Sequence, residues 1–326
     1  MPDFTLLVLP GSYASSVAAT LDMLRAAASL APRLRLAPPT WRVLSPDGGP
    51  VNLGSGLWVD SAAMPQRLRR DPGTWVLPGL GTEDVETLMA ALQRPQAQRL
   101  IQALSAHAAL EGRIAASCSA VFMLQAAGLL AGRQVTTSWW LAPQLQQLEP
   151  RCKVDADRMI CTDGLLCTAG AAFAQVDLML HLLRQQFGVP LADAVSRVLL
   201  INGREAQAPF MVPALLASGD ALVGQLLRRI EASLPQTPSV AALAQQLGLS
   251  TRTLSRRVHQ ATGKSTLALI HSVRLQRARL LIESSTLSIE EVAAQVGYED
   301  ATALRRLMRK LQGQAPSQLR KRSSLV

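Results

Sequence analysis

Apolar residues recur along this chain with two different periods, and the change between them divides it. Near the start, Phe4 to Pro10 is a short continuous apolar run ending in Pro-Gly, followed by a helical stretch to about Leu30. Trp41 to Leu44 and Trp75 to Leu77 repeat that pattern, the latter ending in Pro78-Gly79-Leu80-Gly81 ahead of another helix. Short apolar runs bounded by turn residues and alternating with helical segments predict parallel strands buried on both faces. From about Asp220 the strand signal ends and only helical spacing remains. The chain therefore predicts an α/β domain over 1–212, a connecting helix and linker over 213–237, and an all-α domain over 238–326. Two domains suit 326 residues. Ser233-Leu234-Pro235-Gln236-Thr237-Pro238 reads as the hinge.

The all-α part carries one motif twice. Ala244 to Val258 reads as a short apolar helix, a turn at Gly248, a Ser250 cap and a second helix, the pattern of a helix-turn-helix. Ala293 to Met308 repeats it around Gly297 with one extra residue in the turn, after which the offset is a constant 50, pairing Leu254 with Leu304, Arg256 with Arg306 and Val258 with Met308. In each second helix the apolar residues four apart share one face. That turns Arg252, Ser255, Arg256 and His259 outward in the first copy, and Ala301, Thr302, Arg305 and Arg309 in the second. Between the copies, Leu267 to Ser284 reads as one amphipathic helix with Leu269, Val273, Leu280 and Leu281 inward. Its length of about 27 Å is close to the roughly 34 Å between successive major-groove faces.

Charge sharpens this picture. Residues 238–326 hold 14 Lys and Arg against 5 Asp and Glu, a net of +9, whereas the whole chain carries +10. The basic end is built to meet a polyanion and the rest is nearly neutral.

Residues 221 to 322 resemble the AraC/XylS family of DNA-binding domains, including the ending Gly313-Gln314-Ala315-Pro316-Ser317-Gln318-Leu319-Arg320. Leu304 and Met308 depart from the Phe usual in the family, and Thr266 from its frequent Pro. The resemblance implies double-stranded operator DNA as partner, with RNA polymerase as a further one. It places Arg252, Ser255, Arg256, His259, Thr302, Arg305, Arg306 and Arg309 on the DNA.

In the first domain the informative segment is Gly112 to Gln125, where an apolar strand turns abruptly into a helix at Cys118. A sulfur facing a helix N-terminus is favoured as thiolate. The alternative is a small buried hydrophobe. Strand, Pro-Gly, helix, a Leu-Pro-Gly turn, the Cys elbow, Ala-Gly-Leu-Leu and Thr136-Thr137-Ser138-Trp139 together resemble the PfpI-type, class I glutamine amidotransferase-like superfamily, whose fold is a flavodoxin-like parallel sheet. The match runs over roughly residues 3 to 210, including Thr168-Ala169-Gly170 and Gln207 to Phe210, and is to the GlxA-type branch that joins such a domain to an AraC-type tail. Hydrolytic members carry a His where this chain has Ser138 and an acid where it has Ser16, so the resemblance implies that proton transfer is lost. A polar pocket is then expected at Cys118, with Leu80 and Ser119 keeping N–H groups where an oxyanion hole would lie, Ser138 and Ser16 beside them, and Trp139 and Trp140 as an aromatic wall suited to a cation.

Several classes are set aside. Cysteines 118, 152, 161 and 167 lack metal-ligand spacing, which fits a reduced cytoplasm, and Gly79-Leu80-Gly81 lacks the third glycine of a dinucleotide fingerprint. No cofactor and no metal are expected. Ile114 to Gly132 holds 19 uncharged residues but resolves into strand, elbow and helix, and the amino terminus lacks an export signal. The reading is a cytoplasmic DNA-binding regulator with a non-catalytic domain that senses an unidentified small molecule and forms a homodimer. The alternative is a Cys118-dependent thiol hydrolase or amidase.

Overall fold

A computed structural model describes residues 2–82, 84–201, 203–204, 206–207 and 220–312. Ala208 to Phe210 and the Gly313 to Arg320 ending lie outside the described residues. The chain divides into two units, Met1–Glu205 and Ala206–Val326.

The first unit opens with β1 (Phe4–Leu7), α1 (Ala14–Leu30), β2 (Trp41–Ser45), β3 (Gly49–Gly54), β4 (Leu57–Ala63) and β5 (Thr74–Leu77). Then come α2 (Val85–Leu92), α3 (Pro95–Ala109), β6 (Arg113–Ser117), α4 (Val121–Ala126), β7 (Gln134–Val135), α5 (Ala142–Leu148), β8 (Lys153–Val154), β9 (Ile160–Asp163), β10 (Leu166–Ala169), α6 (Ala174–Phe187) and α7 (Val189–Val198). The main sheet runs β3-β4-β2-β1-β5-β6-β10-β9. Strands β4 to β10 in that order pair in parallel, as the apolar runs predict. The two edges do not: β3 pairs antiparallel with β4, and β9 with β10.

Side chains alternate across the sheet. Leu7, Trp75 and Leu77 face the cluster beneath α2 to α5, whereas Phe4, Leu6 and Val76 face the one beneath α1, α6 and α7. The carboxyl ends of β1, β5, β6 and β10 lie side by side, and the order reverses between β1 and β5. This crevice is where open α/β sheets bind ligands. Its loops are tied to each other, Tyr13 N–H donating to Gly79 O at 2.8 Å and Gly81 N–H to Gly11 O at 2.7 Å.

From Ala221 the second unit is built from helices: α8 (Ala221–Ala232), α9 (Val240–Gln246), α10 (Thr251–Thr262), α11 (Thr266–Ser284), α12 (Ile289–Gln295) and α13 (Ala301–Gln312). Local sequence sets the helix starts. Asp220, Ser239, Ser250, Ser265 and Ser288 each accept a hydrogen bond from the first turn they cap. Gly248 and Gly297 sit at φ +67° and +79° in the two turns, a conformation that costs other residues about 1 kcal/mol or more. A Cβ at Gly297 would also lie only 2.1 Å from Pro235 O, so this turn accepts no side chain. Among the described residues no helix is long and apolar enough to cross a membrane.

Candidate nucleic-acid interface and sensor site

On α10, Leu254 and Val258 are fully buried, and Arg252, Arg256 and His259 are exposed with Ser255 at the margin. On α13, Leu304 and Met308 are buried, and Thr302, Arg305, Arg306 and Arg309 are exposed. Each reading helix thus grips its unit by an apolar pair and presents cations on the other side. Ala301 corrects the expected pattern. It is buried against Tyr298 in the cluster beneath α13, because the first residue of that helix abuts the preceding turn. On α11, Leu280 is half exposed instead of inward, and Leu275, Ala278 and Ile282 fill the buried stripe.

Two ion pairs in this unit are not readable from helical spacing. Arg257 donates to Asp220 at 3.1 Å, fastening α10 to the residue that caps α8. Arg305 donates from Nη2 to Glu290 Oε1 at 2.8 Å, joining α13 to α12.

In the first unit, β6 is followed directly by Cys118 at φ +56°, a left-handed conformation that a non-glycine residue adopts only when its surroundings enforce it. They do so on both sides. Cys118 N–H donates to Gly170 O at 2.7 Å, and the Thr137 hydroxyl donates to Cys118 O at 2.7 Å. Sequence reasoning missed Thr137 in this role. It also missed the reason for Gly79, where a Cβ would lie 2.7 Å from that of Cys118.

The expected pocket residues do converge. Cys118 Sγ and Ser138 Oγ are 2.9 Å apart. Ser16 donates to Ala172 O at 3.0 Å, within the turn that follows β10. Three expectations need correction. First, Cys118 is a thiol: burial pushes it above the usual cysteine range, outweighing the Ser138 hydroxyl and the N–H groups of Ser119 and Ala172 that favour the anion. Desolvation defeats the helix dipole here because Cys118 is only 2% exposed. Second, the Leu80 N–H is not available as an oxyanion donor. It donates to Ser119 Oγ at 2.8 Å, and that hydroxyl donates back to Leu80 O. Third, Trp139 is buried and meets Trp140 edge to face with ring centroids 5.2 Å apart, which makes it packing rather than an open wall for a cation.

No described histidine is bonded to Cys118. His107 of α3 stacks on Trp75 of β5, His181 of α6 meets Thr162 of β9, and His271 of α11 meets Tyr298 in the turn before α13. The four cysteines are free and buried.

A parallel α/β sheet with a cysteine elbow, joined to a doubled helix-turn-helix with cationic reading faces, defines a ligand-type domain fused to a DNA-binding one. The sequence is similar to known proteins of both kinds. Residues 72–185 match the DJ-1/PfpI family, and residues 243–322 match a helix-turn-helix domain. The HTH-type transcriptional regulator GlxA of Rhizobium meliloti (strain 1021) is 30% identical over 318 residues, 96% of this chain and 92% of that protein. The HTH-type transcriptional regulator CdhR of Pseudomonas aeruginosa is 28% identical over 321 residues, 97% and 90% of the two chains. A solved AraC family transcriptional regulator from Pseudomonas putida covers 61% of this chain and 100% of its own at 21% identity and a TM-score of 0.49. The chain belongs to the GlxA-type family of helix-turn-helix transcriptional regulators. It is an AraC-type DNA-binding regulator with a DJ-1/PfpI domain at its amino-terminal end.

Proposed function

We propose that this regulator acts in the cytoplasm, reading operator DNA through α10 and α13 in response to a small molecule sensed by residues 1–212, which also pair two copies. Residues 213–237 connect the two functions. The observation that carries the DNA assignment is the opposition of buried Leu254/Val258 and Leu304/Met308 to exposed Arg252, Arg256, His259, Thr302, Arg305, Arg306 and Arg309. A helix anchored in this way presents its cationic stripe to the major groove, where arginine reads guanine through paired hydrogen bonds.

Arg256→Ala is expected to cost about 1 to 3 kcal/mol on a specific site. The check is an anisotropy titration against a duplex selected by the wild-type chain from a randomised pool. Unchanged affinity in both Arg252→Ala and Arg305→Ala would remove these helices from the reading role.

The amino-terminal domain acts without turnover in this reading. A buried neutral thiol bonded to a serine hydroxyl has neither a thiolate nor a base to serve a leaving group. Wild type and Cys118→Ser are therefore expected to hydrolyse an amide panel at the same background rate, while Cys118→Ser alters the effect of an effector on operator affinity. Robust hydrolysis abolished by Cys118→Ser would establish an enzyme instead.

A further inference from the structure

We infer that Glu290, which is not on a reading helix, fixes the direction in which Arg305 meets the DNA and so helps determine which base the second reading helix prefers. The inference rests on the reading role proposed above for Arg305.

Glu290 stands at the second residue of α12, and that end of the helix is firmly built. Ser288 caps the Glu291 N–H at 3.2 Å, and the Glu291 carboxylate accepts from Ser288 N–H at 2.7 Å, a reciprocal capping box. The neighbouring Glu290 carboxylate is thus carried on a fixed point, and its Oε1 takes one donor of the Arg305 guanidinium at 2.8 Å. A guanidinium has five N–H donors in one plane. Binding one of them to a carboxylate carried on the neighbouring helix restricts the fork's direction and leaves its other donors for a base edge. The backbone N–H of its own residue and Arg305 both hold the Glu290 carboxyl below its ordinary range, so it is charged at neutral pH.

The first copy has no counterpart. Positions corresponding to Glu290 and Arg305 are Ala241 and Ser255, so acid and arginine occur together in one motif and are both missing from the other. Among the described residues, Arg252 and Arg256 on α10 have no carboxylate partner. The two side chains of the Arg305 pair are 45% and 64% exposed, and an exposed pair of this kind adds little to folding. Its consequence lies in orientation, which matters where a planar fork must align with a base.

The test is the base-preference profile of the full chain, obtained by selection from a randomised duplex pool, for wild type, Glu290→Gln, Arg305→Ala and the double variant. Arg305→Ala is expected to flatten the preference at one step of the site. Glu290→Gln is expected to weaken the preference at that same step by about five- to tenfold, at the low end of the range a bidentate contact supplies, to leave the other steps and the melting temperature unchanged, and to add nothing in the double variant. A wild-type profile for Glu290→Gln beside a flattened one for Arg305→Ala would overturn the positioning role and leave the reading role standing. A uniform gain of affinity at all steps would overturn it too, since that is the effect of deleting one negative charge near phosphates. A wild-type profile for Arg305→Ala would remove the reading role and this inference with it.

Discussion

Raising salt from about 50 to about 200 mM is expected to weaken DNA binding by about a thousandfold. Arg252, Arg256, Arg306 and Arg309 are exposed on the two reading helices beside the ion-paired Arg257 and Arg305, and residues 238–326 carry a net +9. Each phosphate neutralised by such a cation releases condensed counterions, so the logarithm of affinity falls linearly with the logarithm of salt. With about six phosphates neutralised the slope is roughly −5. Anisotropy titrations of a labelled duplex across that range measure it directly. A slope shallower than about −2 would leave too few phosphate contacts for two inserted helices.

Arg204→Ala is expected to destabilise the amino-terminal unit by about 3 kcal/mol. Arg204 encloses Asp177 almost completely. Its backbone N–H donates to Oδ1 at 2.7 Å, and Nε and Nη2 donate to Oδ2 at 3.1 and 2.6 Å. Nη2 also reaches Phe173 O at 2.7 Å, in the turn that follows β10. Asp177 is only 3% exposed, so deleting the guanidinium strands a buried carboxylate, a far larger effect than losing the exposed Arg305–Glu290 pair. All five tryptophans lie between Trp41 and Trp140. Urea unfolding followed by tryptophan fluorescence therefore reports this unit alone. A loss below about 0.5 kcal/mol, the range of ordinary surface changes, would show that the pair does not hold the segment.

Much of this architecture was legible because it repeats a local rule. The runs at Phe4 and Trp75 are buried strands, the run at Trp41 is a half-buried one, and the doubled motif around Gly248 and Gly297 folds as spacing dictates. The β3–β4 edge was not legible: both strands are mostly exposed, with Trp58 60% accessible, and Gly49, Pro50, Gly54 and Asp60 interrupt their apolar residues. Helical periodicity placed Leu254, Val258, Leu304 and Met308 correctly, but it misplaced Ala301 and Leu280. At helix ends and on broad stripes the neighbours of the fold, Tyr298 among them, decide burial. The cysteine elbow was visible in sequence, yet its protonation was not. The helix dipole is a local property, whereas desolvation comes from elements over fifty residues apart, meeting around Cys118. Ion pairs such as Arg204–Asp177 and Arg305–Glu290 leave no periodic trace at all.

The burial of the Cys118 site bears on how fast such a regulator responds. Cys118, Ser119, Ser138, Ser16, Leu80 and Trp139 are each no more than 5% exposed. An effector acting at the sulfur must therefore meet a transiently opened form of the domain, and its apparent affinity is its intrinsic affinity reduced by the fraction of molecules open. The response then has a ceiling. At saturating effector the rate of onset equals the rate at which the domain opens and ceases to depend on concentration. Substitutions that loosen the loops after β1 and β5, without touching the sulfur, would quicken the response and raise sensitivity together.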